Sequence, residues 1–348
     1  MQFANVIGNS ELKQQLAQMV RGGRLSHAIL LCEDGQWGAM AVAVALAQLL
    51  NCTDPHGDDS CGTCDSCHKY GKLIHPDLHF VFPTASAKSL SESEKKAPVS
   101  DYFMNQWREL LLTNPYFGEQ DLYDALGIEN KSAGISVHES KRIFEKLSLR
   151  AFEGEYKTLI IYLPEKMNAE AANKLLKLLE EPPVGTIFIL VSHAPENLLQ
   201  TIRSRCQRIN LRPLSHEQEA QAGIARTIDQ EYHDLTTNLL RACLAKDLLA
   251  TFPVWESVAE MGREKQREWV SYTEDFLRKM MLAADGMERI ACILPEERGV
   301  IEDLCGKVKP TFYEKGFKAL EATLTGIAAN VNPKLLYCNL CNTLLLAM

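Results

Sequence analysis

Five short apolar runs, set apart by helix-patterned chain, limit what this sequence can fold into more than any other feature. They are Ala28-Ile29-Leu30-Leu31-Cys32, Leu78-His79-Phe80-Val81-Phe82, Thr158-Leu159-Ile160-Ile161-Tyr162, Thr186-Ile187-Phe188-Ile189-Leu190-Val191 and the stretch from Gln207 to Leu211. Short runs rich in aliphatic and β-branched residues, without polar alternation, are typical of strands covered on both faces. Helix patterns lie between and around them. Ser10 reads as a cap for Leu12, Leu16, Met19 and Val20, with Gly22-Gly23 as the stop. An alanine-rich helix is expected over 39–50, another over 137–147. A third is capped by Asn168, carries the stripe Ala172, Leu175, Leu176, Leu179, and ends at Pro182-Pro183. This alternation predicts an α/β domain with a mostly parallel five-stranded sheet.

Beyond Pro213 strand-like runs stop and helical patterns continue to Met348, broken near Pro253, Gly286, Pro295 and Pro310. A chain of 348 residues is expected to hold two or three domains. The borders are expected near 213 and 250, giving an α/β domain over 1–213 and helical parts over 214–250 and 251–348. Residues 84–100, rich in Ser, Ala, Lys and Glu, read as an exposed loop. The next stretch, with Trp107, Tyr116 and Tyr123, reads as partly helical, its aromatics packed into a core rather than offered to a partner.

A formal charge of −8 excludes a surface that is basic throughout, though not a local basic groove. No run of about 18 apolar residues is present, so no membrane span is expected. The opening Met1-Gln2-Phe3-Ala4-Asn5-Val6 lacks the basic-then-apolar layout of a signal peptide, and a cytoplasmic protein is expected. Eleven cysteines, an odd number, argue against a disulfide framework in such a chain.

Four of those cysteines, Cys52, Cys61, Cys64 and Cys67, fall in one short stretch over 52–67. Structural zinc takes four tetrahedral ligands, commonly from Cys-x2-Cys pairs, at about 2.3 Å from sulfur. Gly62, Asp65 and Ser66 suit the tight turns between ligands. An iron–sulfur cluster, a redox pair or free thiols are the alternatives, but the spacing fits no ferredoxin pattern. With all four positions filled by protein, the expected zinc is structural. His68 and His75 read as ordinary polar residues. Of the seven scattered cysteines, Cys32, Cys243, Cys292, Cys305, Cys338 and Cys341 read as core thiols.

The loop after the first strand matches the frame of a phosphate-binding loop and fails its chemistry. Such a loop needs Gly-x4-Gly-Lys-Ser/Thr, where amides cradle phosphates, Lys meets their charge and the hydroxyl holds magnesium. Here Glu33 replaces the first glycine, Gly38 keeps the second, Ala39 replaces the lysine and Met40 the hydroxyl. Glu33 and Asp34 place carboxylates where a triphosphate would lie. A helix N-terminus favours an anion by about 0.3–1 kcal/mol, too little to substitute for Lys and magnesium. The third strand should end in Asp-Glu, for magnesium and for water activation; it ends in Tyr162-Leu163-Pro164 instead. Glu165 could be offered as a stand-in. No ATP is expected in this chain's own site.

Several strings together resemble bacterial DNA polymerase III clamp-loader subunits of the AAA+ class, above all their delta-prime branch. They are Gly23-Arg24-Leu25-Ser26-His27-Ala28, the four-cysteine module, His75-Pro76-Asp77, Asn173-Lys174-Leu175-Leu176-Lys177-Leu178-Leu179-Glu180-Glu181-Pro182-Pro183 and Thr201-Ile202-Arg203-Ser204-Arg205-Cys206. The resemblance covers about 3–213, except 84–135, which looks like an insertion. It is faint afterwards, at Asn332-Pro333-Lys334-Leu335-Leu336. It implies an AAA+ sheet, a small helical lid over 214–250 and a helical collar over 251–348 that assembles the complex. It further implies a hetero-pentamer with ATPase subunits and a delta subunit, which opens a sliding clamp and closes it on primed DNA. The Ser-Arg-Cys arginine of that family enters the neighbouring subunit's ATP site; here that is Arg205. A guanidinium's planar, permanently charged fork suits a γ-phosphate. Without the family, Arg205 would read as a surface ion pair. Ser192 falls near the family's sensor position and reads as a strand-end hydrogen-bonder.

Three functions remain: a non-hydrolysing clamp-loader subunit donating Arg205, an ATP-hydrolysing motor subunit with an atypical site, and a zinc-bearing regulatory module on a decayed AAA+ core.

Overall fold

The computed structural model describes residues 1–128, 133–148, 151–224, 229–291 and 293–348. The chain divides into two compact units, 1–225 and 226–348. The elements of the first are α1 (Ser10–Arg21), β1 (Ala28–Cys32), α2 (Ala39–Leu50), α3 (Asp65–Gly71), β2 (Leu78–Val81), α4 (Met104–Thr113), α5 (Glu119–Leu126), α6 (Val137–Ser148), β3 (Lys157–Tyr162), α7 (Ala169–Glu180), β4 (Thr186–Ser192), α8 (Gln200–Arg203), β5 (Gln207–Asn210) and α9 (His216–Gln221).

The five strands form one parallel sheet in the order β2-β3-β4-β1-β5, as the alternating runs predict. Period two along each strand separates two cores. Ile29 and Leu31 meet Ile160, Tyr162, Ile189 and Val191 on one face, while Leu30 and Cys32 meet Leu159, Ile161, Phe188 and Leu190 on the other. The second face is closed by α6 and α7, through Ile143, Leu147, Leu175 and Leu179. On α7 the Asn168 side chain accepts from the Ala171 amide, as expected of a cap. Its buried stripe includes Leu178, whereas Leu176 is only partly covered.

Helix α2 is buried along its whole length, because it is apolar on every side. The sheet covers one side of it and α1 and α3 pack against it as well, while Trp107, Leu111, Leu122 and Leu126 of α4 and α5 join the same core. Trp107 stacks on Phe82 with ring centroids 4.2 Å apart and meets Phe117 edge-on at 5.4 Å. The aromatics of this stretch therefore complete the core, Tyr123 from its partly buried margin.

Two expectations are corrected. The cap of α1 is Asn9, one residue ahead of Ser10; Asn9 takes the left-handed conformation, which asparagine tolerates, and its side chain accepts from the Arg212 amide. The stretch 84–100 is exposed only in its middle. Thr84, Ala85, Ala87, Leu90, Val99 and Ser100 are buried, and the Ser100 hydroxyl accepts from the Phe82 amide at 3.1 Å. Small residues there pack against the core instead of looping into solvent.

The second unit is helical: α10 (Gln230–Ala245), α11 (Leu248–Glu260), α12 (Arg263–Ala284), α13 (Glu288–Ala291), α14 (Pro295–Cys305), α15 (Pro310–Ala328) and α16 (Pro333–Ala347). Its core is built around Trp269, Phe276, Phe312 and Tyr337. The buried Lys279 ammonium is satisfied by Glu297 at 2.7 Å and Asp275 at 2.9 Å. Cys32, Cys206, Cys243 and Cys341 are buried, while Cys305 and Cys338 stand half-buried at the core margin; Cys292 lies outside the described residues. Among the described residues no helix is long and apolar enough to cross a membrane.

Candidate functional site

Chemistry-bearing residues gather at both ends of α2 and at a surface turn after α8. The C-terminal ends of β1, β3 and β4 open toward the first of these, which is where parallel sheets bind ligands.

At the N-terminus of α2, Gly38 caps the helix with φ 93°. The free amides there would suit an anion. They have one already, from this chain. Glu33, only 6% exposed, turns back so that its Oε2 accepts from the Trp37 amide at 2.8 Å and the Ala39 amide at 3.0 Å. Its Oε1 lies 3.1 Å from His193 Nε2. Ala39 and Met40 are buried and offer no polar group. A Cβ on Gly38 would stand 2.7 Å from the Tyr116 ring, so the segment between α4 and α5 closes on the loop from outside. The remaining cavity of about 330 Å³ is lined by Glu33, Asp34 and Glu196 as well as His193 and Arg208.

At the end of β3, Tyr162 is buried between Phe117 (5.1 Å, edge-on) and His193 (5.3 Å, edge-on). Burial, with the carboxylates of Glu33 and Glu119 nearby, holds its phenol protonated. Leu163 adopts a left-handed conformation and is fully buried. Glu165 accepts from the Ser192 hydroxyl at 2.8 Å, the His193 amide at 2.9 Å and the Ala194 amide at 3.1 Å. It ties the end of β4 to the end of β3, with Ser192 acting as the strand-end hydrogen-bonder. Glu33, Glu165, Ser192 and His193 thus form one hydrogen-bonded cluster, beside which the buried Tyr162 hydroxyl has no hydrogen-bond partner among the described residues.

At the C-terminal end of α2 the situation reverses. The sulfurs of Cys52, Cys61, Cys64 and Cys67 all lie within 4.8 Å of one another. Tetrahedral ligands at about 2.3 Å from a zinc stand about 3.8 Å apart; Cys61 and Cys67 sulfurs are 3.9 Å apart. Backbone amides point at the sulfurs: Cys61 N to Cys52 Sγ at 3.2 Å, Cys64 N to Cys61 Sγ at 3.3 Å, Cys67 N to Cys64 Sγ at 3.4 Å. Burial opposes ionisation of Cys64, but hydrogen bonds from Thr53 and the Cys67 amide outweigh it and bring its thiol down to about 6. The donor set fits a metal ion such as zinc. Beside it, Asp59 accepts from the amides of Phe3 at 2.9 Å, Ala4 at 2.8 Å and Ser60 at 2.7 Å. The metal loop therefore holds the segment ahead of α1.

Arg205 belongs to neither cluster. It follows the single turn of α8, 38% exposed at its side chain. Its Nη1 donates to the Thr201 carbonyl at 3.0 Å, and its Nη2 lies 2.7 Å from Glu180 Oε1 at the end of α7. The arginine of the Ser-Arg-Cys string is paired with a glutamate of the Leu-Leu-Glu-Glu-Pro-Pro string. Cys206, next in the chain, is buried, and burial pushes its thiol up to about 11.

His193, Asp59 and Glu180 complete these arrangements without a sequence signal that marks them as site residues, and Tyr116, which reads in the sequence as a core aromatic, joins them. His193 has only a local hint, its place after the β4 strand end. The partners of the others are distant in sequence.

The family model described as DNA polymerase III, delta subunit, matches residues 8–215. The DNA polymerase III subunit delta' of Haemophilus influenzae is 28% identical over 259 residues, covering 74% of this chain and 64% of that relative. The corresponding Bacillus subtilis subunit is 29% identical over 199 residues, covering 57% of this chain and 46% of the relative. A crystal structure of a gamma subunit-related protein from Thermotoga maritima is a looser likeness, at 16% identity and TM-score 0.35 over 94% of this chain and 97% of its own. The chain spans about half to two thirds of the length of the curated relatives it matches. The family match runs through more than half of the sequence, and this chain belongs to the DNA polymerase III delta-subunit family, as a relative of its delta-prime subunits.

Proposed function

We propose that this chain is a non-hydrolysing subunit of the bacterial replicative clamp loader that donates Arg205 to the ATP site of a neighbouring subunit. The observation that carries this reading is the Glu33 carboxylate seated on the Trp37 and Ala39 amides. A phosphate would have to expel a buried carboxylate from those donors and face Asp34 and Glu196 as well, without a lysine or hydroxyl to help. Tyr162 and Leu163 supply no carboxylate for magnesium, and Glu165 is committed to three donors. A motor-subunit reading would require that whole cluster to rearrange. Arg205, by contrast, is charged and partly exposed, as a group acting in trans must be.

On this reading zinc at Cys52, Cys61, Cys64 and Cys67 is structural. Residues 1–213 serve as the AAA+ domain, 214–250 as the lid and 251–348 as the collar. The partners are the ATPase subunits and the delta subunit of a hetero-pentamer, with the sliding clamp and primed DNA engaged through the complex. Reconstitution with those subunits tests the reading. Arg205→Ala should leave assembly intact and lower clamp-stimulated ATP hydrolysis by about 10³-fold or more at the site it faces. Unchanged hydrolysis would remove Arg205 from that role.

A further inference from the structure

We infer that Glu180 is a positioning residue for Arg205, holding the guanidinium ready for a phosphate in trans; this rests on the proposed role of Arg205.

A guanidinium has five N–H donors. Glu180 engages Nη2 through one carboxylate oxygen, and the Thr201 carbonyl engages Nη1. This is a single contact on each terminal nitrogen, not the two-pronged clasp by which a carboxylate sequesters an arginine. Among the described residues no further hydrogen bond to the guanidinium is found, and the side chain is still 38% exposed. The geometry fixes the orientation of the fork without using it up.

Both anchors hang from rigid parts of the fold. Glu180 is the last residue of α7, immediately after the buried Leu178 and Leu179, and α7 is capped at its start by Asn168. Thr201 precedes Ile202, which is 1% exposed. Arg205 itself precedes the buried Cys206, which leads directly into β5. An arginine has many rotamers, and one already held in its reacting orientation loses less freedom in the transition state. Such holding raises turnover while leaving ground-state nucleotide binding by the neighbour unchanged.

The test uses the reconstituted complex with its clamp-loader ATPase subunits, comparing wild type, Arg205→Ala, Glu180→Gln and Glu180→Asp. Glu180→Gln should lower kcat by about 3- to 10-fold with KM for ATP within about twofold, since only transition-state stabilisation is lost. Complex formation by size exclusion should be unchanged, and Glu180→Asp should recover part of kcat by restoring the charge. If Arg205→Ala lowers kcat and Glu180→Gln does not, the positioning role is wrong while the trans role stands. If Glu180→Gln raises kcat, Glu180 is a competitor of the phosphate and the inference is overturned. Loss of assembly in Glu180→Gln would also overturn it. If Arg205→Ala itself has no effect, the proposed function fails, and the inference with it.

Discussion

The two ends of α2 make opposite use of polar groups. At its N-terminus the helix amides, a carboxylate and an imidazole satisfy one another: Glu33 bonds Trp37 and Ala39 and meets His193. At the end beyond Leu50, four thiols crowd within 4.8 Å with backbone amides aimed at the Cys52, Cys61 and Cys64 sulfurs; hydrogen bonds pull the Cys61 and Cys64 thiols down, while burial pushes those of Cys52 and Cys67 up. Four thiolates so close repel one another unless a cation joins them. One end has its helix amides filled by the chain's own carboxylate; the other presents a donor set that fits an ion. On the proposed reading, a site keeps the frame of a phosphate loop while a side chain takes the ligand's place, and a substituted residue matters less for what it lacks than for what it occupies.

Four experiments can break or sharpen this contrast, in decreasing order of expected effect. Stripping metal with a chelator, or replacing Cys64 by Ser, should lower the midpoint of thermal unfolding of the first unit by about 10 °C or more, because metal binding is linked to folding. Residues 1–8 should then become sensitive to protease, since Asp59 grips Phe3 and Ala4 from the metal loop. Elemental analysis should find about one zinc per chain. A protein indifferent to stripping would erase the difference between the ends.

Next, Glu33→Ala should destabilise by about 3 kcal/mol in urea unfolding, since it leaves buried amides and His193 without their carboxylate. A loss below about 0.5 kcal/mol would show that the carboxylate is not needed there. Gly38→Ala should cost about 1–3 kcal/mol, from the φ of 93° and the contact with Tyr116. A tolerated alanine would mean that Tyr116 does not close the loop.

The fourth is a pH effect at a second carboxylate that fills its own amide site. Asp77 accepts from the amides of Phe152 at 2.6 Å, Glu153 at 2.9 Å and Gly154 at 2.9 Å. Burial opposes its ionisation, but those three amides outweigh it and hold its carboxyl below the usual range. Its contribution is therefore full above the unfolded value of about 4 and is lost as pH falls through the lower folded value. Asp77→Asn should flatten the acid limb of the stability curve. An unchanged limb would contradict the sign.

What was legible in the sequence follows the range of the interactions. Burial of β1, β3 and β4 on both faces, the Asn168 cap and the cysteine spacing are local patterns, and each reappears in the structure. That the loop carries no lysine and no hydroxyl was also readable, because both positions directly follow Gly38. The carboxylates there were read as repelling a phosphate, which is half of what they do. That Glu33 is seated on the loop's own amides depends on a backbone turn, and its pairing with His193 spans 160 positions. Tyr116 reaching Gly38 and Glu180 reaching Arg205 likewise depend on how helices pack, which residue patterns along one segment do not encode. The same limit explains 84–100, where a polar composition hid small residues packed inside.

The central claim is that the N-terminal end of α2 is closed to nucleotide by the chain's own residues. Titration calorimetry of magnesium-ATP into the metal-loaded chain tests it directly. The account predicts no saturable heat at millimolar nucleotide. One-to-one binding with a micromolar Kd, followed by release of phosphate, would contradict it.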